Sequence, residues 1–208
     1  MKIVTKKIFK KSLIMCIILI CLFAFCSCTP NLTLAEEYEL LVSDDTPTDP
    51  VFSSYTIDVN KLEEVVGSAD SVFIAKVKEY KGTINVSVGT PATIFVVEVI
   101  ENIKGNLIKN IDIELTKSGG LTKKRKSKAI YIGDIMPKVN EYYVFSIFVQ
   151  LDGKILSTGP NSSIKIENYQ NLHEDPKYKE FVEAYENEVV FDRERRESIY
   201  EQDNNEYN

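Results

Sequence analysis

Tryptophan is absent from the 208 residues, histidine occurs once, at His173, and none of the four cysteines lies beyond position 28. A domain in residues 29–208 therefore has no disulfide frame and must be held by packing alone, which about 150 residues can supply. A histidine-based zinc centre or a Ser-His-Asp relay would depend wholly on His173. That residue stands in the polar stretch Asn171-Leu172-His173-Glu174-Asp175 and reads as a surface loop residue. No Gly-Lys-Ser/Thr follows Gly119-Gly120, so the diglycine is not a phosphate loop. Asp112 and Glu114 share one strand face, where unpaired carboxylates ordinarily solvate it. No cofactor, metal or catalytic residue is expected, and the chain reads as a non-enzyme.

The cysteines that are present sit at Cys16, Cys21, Cys26 and Cys28, within a leader. Lys2, Lys6, Lys7, Lys10 and Lys11 precede an apolar run over 13–25, after which small Ser27 appears. This is the order of a secretory signal peptide, and the run is shorter than the ~20 apolar residues a membrane span requires. An uncleaved signal anchor is the alternative, since five lysines would hold the N-terminus on the cytoplasmic side. Phe25-Cys26-Ser27-Cys28 resembles the lipobox of bacterial lipoproteins. That resemblance implies a signal peptide over 1–27, lipid on Cys28 as the mature N-terminus, and a place on the extracytoplasmic face of a cell membrane.

Charge is lopsided once the leader is removed. Residues 1–27 carry five lysines and no acid, which leaves 20 basic against 31 acidic residues, a net charge of −11. Such a field excludes a nucleic-acid binder or a polybasic membrane-surface protein. One local exception stands out. Lys123, Lys124, Arg125, Lys126 and Lys128 fall within six positions and are the candidate site for an anionic polymer or an acidic envelope protein, the alternative being a solvated loop.

Residues 28–57 are polar, contain Pro47 and Pro50, and show neither helical nor strand period. They read as a flexible tether with an r.m.s. span of about 30 Å, within which 36–42 is at most a short helix or frayed turn. A short helix over 59–66 follows, capped by Asp58 and stopped by Gly67. Alternation then marks strands at 72–77, 93–100, 111–116, 129–132, 142–151, 154–158 and 163–167, with Asp152-Gly153 as a two-residue hairpin turn. A last helix begins at Asp175-Pro176 and carries Tyr178, Phe181, Val182, Tyr185 and Val189 as its apolar stripe. Beyond it, 192–208 reads as a polar, frayed tail. The fold class is mainly β: a small five- to six-stranded OB-like antiparallel barrel over 58–191, with a short preceding helix and a C-terminal amphipathic helix.

Ala69-Asp70-Ser71-Val72-Phe73-Ile74, Phe95-Val96-Val97-Glu98-Val99 leading to Lys104-Gly105, and Tyr142-Tyr143-Val144-Phe145 resemble the netrin-like, OB-fold domain of the tissue inhibitors of metalloproteinases. A group of bacterial surface proteins shares the same order of strands. The resemblance covers residues 69–148 and implies the barrel. It does not bring the inhibitor chemistry, because Cys28 lies far upstream of Asp70 and has no partner cysteine to lock it against the barrel. The functional expectation is a binding or protein-interaction module, with a surface enzyme or a protease inhibitor as the alternative.

Overall fold

The computed structural model describes residues 32–84 and 89–202. Three helices and nine strands are described: α1 (Leu34–Val42), β1 (Thr48–Val51), α2 (Leu62–Ser68), β2 (Ser71–Ile84), β3 (Ala92–Lys104), β4 (Asp112–Ser118), β5 (Gly120–Leu121), β6 (Lys128–Tyr131), β7 (Tyr142–Val149), β8 (Ile155–Ser157), β9 (Ser163–Ile166) and α3 (Pro176–Glu186). A 3-10 turn, Tyr169–Glu174, leads into α3.

Strands β2, β3, β4, β8 and β7 pair in that order, and β7 pairs back onto β2, so the sheet closes into a five-stranded barrel. Four of its five seams are antiparallel, while β4 and β8 run parallel through three residue pairs, Leu115 with Ile155, Thr116 with Leu156 and Lys117 with Ser157. The OB-like barrel expected from strand spacing is present, with this one parallel seam. Closure needs coiled strands, and the β2–β3 register shifts four times along its length.

Alternation along β2 and β7 sorts side chains into two cores. Phe73, Ala75 and Val77 on β2 and Tyr143, Phe145, Ile147 and Val149 on β7 point into the barrel. Val72, Ile74 and Val144 point outward, under Phe181 and Ala184 of α3 and Val66 of α2. This explains why the start of β2 is apolar on both faces: one face lines the barrel and the other seats a helix. A fully buried Phe contributes about 2–3 kcal/mol, and Phe73, Phe95, Phe145 and Phe181 are all at 0% exposure.

The segment expected to be a tether is largely part of the folded unit, which begins at Leu34. Leu41 of α1 is fully buried in the barrel core and Tyr38 packs beside it. β1 lies parallel to β6, which is therefore the middle strand of a small β1-β6-β5 sheet. Tyr38 and Leu41 are three apart and Glu36 and Glu37 occupy the first turn, so the amphipathic signal was there, shortened by the polar run that follows. The tail is likewise docked as far as Gln202, with Ile108 N–H donating to Tyr200 O and Gln202 N–H to Asn106 O. Both cores are drawn from residues after Leu34.

α2 starts three residues later than Asp58 suggested, and its N-cap is Lys61, without a side-chain cap bond. Asp58 instead organises the turn before the helix, its carboxylate accepting from Asn60 N–H while Glu64 accepts from Asp58 N–H. Gly67 lies inside α2 rather than ending it, and a β-carbon there would collide with the Val189 backbone. The β7–β8 hairpin holds three residues, Leu151, Asp152 and Gly153, the last with φ of +78°. The stripe of α3 is also narrower than its spacing suggested: Phe181 and Ala184 are buried, whereas Tyr185 and Val189 are about 40% or more exposed.

Asp175 caps α3 as its sequence position implies. The carboxylate is 1% exposed and accepts four backbone N–H groups, from Glu167, Asn168, Lys177 and Tyr178. Burial opposes its charge, but the four donors outweigh burial and hold its pKa below the usual carboxylate value. Asp175→Ala should cost about 2 kcal/mol in chemical denaturation at pH 7. A lowered folded-state pKa contributes stability above the unfolded value near 4 and loses it as pH falls through the folded value. The gap between wild type and Asp175→Asn should therefore close below about pH 4, and a gap constant from pH 7 to pH 3 would refute the charged cap.

Candidate functional site

β7 presents Tyr142, Val144, Ser146 and Phe148 outward, in the period of the strand. α3 covers Val144, but its cover ends before Ser146. Around Ser146 and Phe148 the enclosing pieces are Val65 and Ser68 of α2, the loop Thr158, Gly159, Pro160 and Ser162, the segment from Tyr55 to Val59, and Phe191, Asp192 and Arg193. A small Ser at the point where the helix layer ends leaves a cavity of about 360 Å³ with mainly apolar walls. This is within the size range of small-molecule sites.

The walls are anchored, each by its own device. Gly159 has φ of +84°, and Tyr55 lies so close that a β-carbon would touch its ring at 3.0 Å. Asn161 donates its side-chain amide to Val59 O at 2.7 Å. The C-terminal segment is held by α2, whose last carbonyls have no partner within the helix. Arg193 Nε donates to Ser68 O at 2.9 Å, Arg195 donates to Ala69 O at 2.5 Å and to Gly67 O at 2.7 Å, and Lys104 Nζ donates to Val66 O at 2.8 Å. Cations thus satisfy the negative end of a short helix and bring the tail over the cavity. Arg193 also pairs with the buried Asp70 at 2.5 Å and lies 5.2 Å from the Phe148 ring centre.

The hydroxyl of Ser146, in a residue 2% exposed, has no hydrogen-bond partner and is closed off from solvent. Leaving such a group unsatisfied costs about 1–3 kcal/mol. The accessible polar residues of the lining include Thr56, Thr158 and Asp192.

Behind the cavity wall lies a polar cluster. Lys117, fully buried, donates to Asp134 at 2.5 Å and to Ser162 Oγ at 2.8 Å, and Ser157 Oγ lies 3.1 Å from Ser162 Oγ. Burial pushes the Lys117 pKa down and that of Asp134 up, each offset by the other's charge. Ser162 spends its proton on Gly159 O at 2.7 Å, while Lys117 acts as a donor to both neighbours. A serine nucleophile needs a base accepting its proton, so this arrangement is a fastening between β4, the β8–β9 loop and the loop after β6. Strand alternation pointed to it, because Lys117 continues the inward row of Ile113 and Leu115. Asp134 and Ser162, in turn-rich segments, carried no such signal.

The basic loop is divided by the fold. Arg125, at φ of +51°, forms a double contact with the buried Glu37 of α1, and Lys128 Nζ donates to Ser43 O at 2.8 Å. Those two cations hold α1 in place, and Lys123, Lys124 and Lys126 remain exposed. Cys28 lies outside the described residues. Asp112 and Glu114 are exposed, with Asp112 4.0 Å from Lys78 Nζ. His173 is exposed, 3.7 Å from Glu101 and edge-on to Tyr178, whose hydroxyl donates to Glu101 and, by burial and that carboxylate, has its pKa pushed up to about 12. Tyr80 and Tyr143 are in the barrel core, and Tyr142 stacks on Tyr169 with ring centres 3.6 Å apart. Among the described residues no group of three or more His, Cys, Asp or Glu could hold a metal ion, and no helix is long and apolar enough to cross a membrane. Compared with known protein families and with curated proteins, the chain matches none.

Lys117→Met should destabilise the protein by about 3–5 kcal/mol, because it leaves the Asp134 carboxylate buried alone. Lys117→Met/Asp134→Leu should recover most of that loss in urea denaturation. In the single variant Asp134 carries a raised folded-state pKa, so the folded form keeps a proton that the unfolded chain has released, and stability rises as pH falls. The loss should be smaller at pH 5 than at pH 8; an equal loss at both would show that Asp134 is not the stranded charge.

Proposed function

We propose that this chain is an extracytoplasmic binding module, anchored to the cell membrane by lipid on Cys28, that takes a small, largely apolar ligand on the outer face of its barrel. The observation that carries the ligand reading is the cavity beside β7, with mainly apolar walls and the accessible polar residues Thr56, Thr158 and Asp192 in its lining. A cavity left by imperfect packing tends to be wholly apolar, whereas a ligand site combines apolar walls with a few converging polar groups. The anchor rests on the leader pattern and on Phe25-Cys26-Ser27-Cys28. A second contact, to an anionic envelope polymer, is favoured by the three lysines that the fold leaves exposed in an otherwise acidic domain, Lys123, Lys124 and Lys126.

Two experiments test these readings. The neutral dye N-phenyl-1-naphthylamine should bind residues 29–208 saturably, with a blue-shifted emission, and Thr158→Phe, at a half-buried lining position, should fill the cavity and abolish the signal with the unfolding midpoint retained. Dye binding unchanged in Thr158→Phe would place the ligand elsewhere. For the anchor, metabolic labelling with a fatty-acid analogue should mark the wild type and miss Cys28→Ala, and equal labelling of both would exclude lipid on Cys28.

A further inference from the structure

The polar groups that line the cavity specify more than an apolar guest. Several are already committed: Ser68 Oγ donates to Val65 O at 2.9 Å, and Ser162 Oγ lies within the Lys117 cluster. Arg193 spends its guanidinium on Ser68 O, Glu194 O and Asp70, and the Asp70 carboxylate balances its charge. Of the other lining residues, Thr56 and Thr158 are neutral, and Asp192 is exposed and without an ion pair among the described residues. The uncompensated charge at this site is therefore negative, one carboxylate beside walls formed by Tyr55, Phe148, Phe191 and aliphatic side chains.

An anionic amphiphile, such as a fatty acid, would meet Asp192 as a like charge. A neutral apolar molecule would leave Asp192 without a partner. An apolar body ending in a protonated amine matches both features, because its chain fills the aromatic and aliphatic walls while its N–H groups serve the carboxylate. Resting on the cavity reading above, we infer that the cavity beside β7 is a site for a small amphiphilic amine, with Asp192 selecting the cationic head.

Calorimetric titration of residues 29–208 with octylamine, octanol and octanoate at low salt separates the possibilities, since the three probes share a chain length and differ in the head group. Octylamine should bind about fivefold tighter than octanol, the size of one partly exposed ion pair, and octanoate should bind more weakly than octanol. Asp192→Asn, at an exposed position, should remove the preference and bring octylamine to the affinity that octanol has for the same variant. Equal affinities for octylamine and octanol in the wild type, or a preference that survives Asp192→Asn, would overturn the amine assignment and leave the cavity reading in place. If none of the three binds, the cavity reading falls and the amine assignment falls with it.

Discussion

The barrel depends on a seam three residue pairs long. β4 and β8 are the one pair of barrel strands that run parallel, and Lys117 stands at the end of their contact, opposite Ser157. So short a ladder supplies few hydrogen bonds, and the ion pair of Lys117 with Asp134, continued to Ser162, ties the same seam to two loops. The cost of burying an ammonium is offset only because every neighbour it meets is an acceptor in the right place. That requirement shapes the loops: the β8–β9 turn must bring Ser162 inward, and the same turn carries Gly159 and Pro160 to the cavity wall. One buried ion pair thus fastens the parallel seam and also the turn that supplies part of the cavity wall.

A second constraint acts at the other side of the cavity. α2 is one of the shorter helices, and its final carbonyls would face solvent or an apolar wall if nothing met them. Lys104, Arg193 and Arg195 meet them instead, from parts of the chain far apart in sequence. The described part of the tail, polar by composition, docks because Arg193, Arg195 and its backbone have partners on the folded surface. Gly67 permits this approach by leaving room for the Val189 backbone. The same logic applies to the basic loop, where Arg125 and Lys128 serve Glu37 and Ser43 and so fasten α1 over the barrel.

How far the sequence was informative differs from element to element. The interior strands were legible, because Phe73, Ala75 and Val77, or Ile113 and Leu115, alternate in a period that a half-buried strand imposes on any sequence. The cap at Asp175 and Pro176 was legible for a similar reason, since the first turn of a helix needs a side-chain acceptor and tolerates proline. α1, β1 and the docked tail were not. α1 carries only a short amphipathic signal beside a polar run, β1 and the tail are polar, and the contacts that order all three reach residues 43 or more positions away. The cavity was invisible altogether: nothing about Ser146 in Tyr142-Tyr143-Val144-Phe145-Ser146 distinguishes an outward serine facing a helix from one facing a void.

By itself, the sequence determined the absence of disulfides beyond position 28, the leader pattern that ends at Cys28, the acidity of the remainder, and the barrel strands with their inward rows. These follow from local chemistry: which atoms are present, and how side chains repeat along an extended backbone. The tertiary structure alone decided which cations are free, which polar groups are paired, and where the surface is hollow. Those properties depend on distances between segments that have no sequence relation, and a charge such as Arg125 or Arg193 changes from solvated to structural when folding brings an acceptor within about 3 Å.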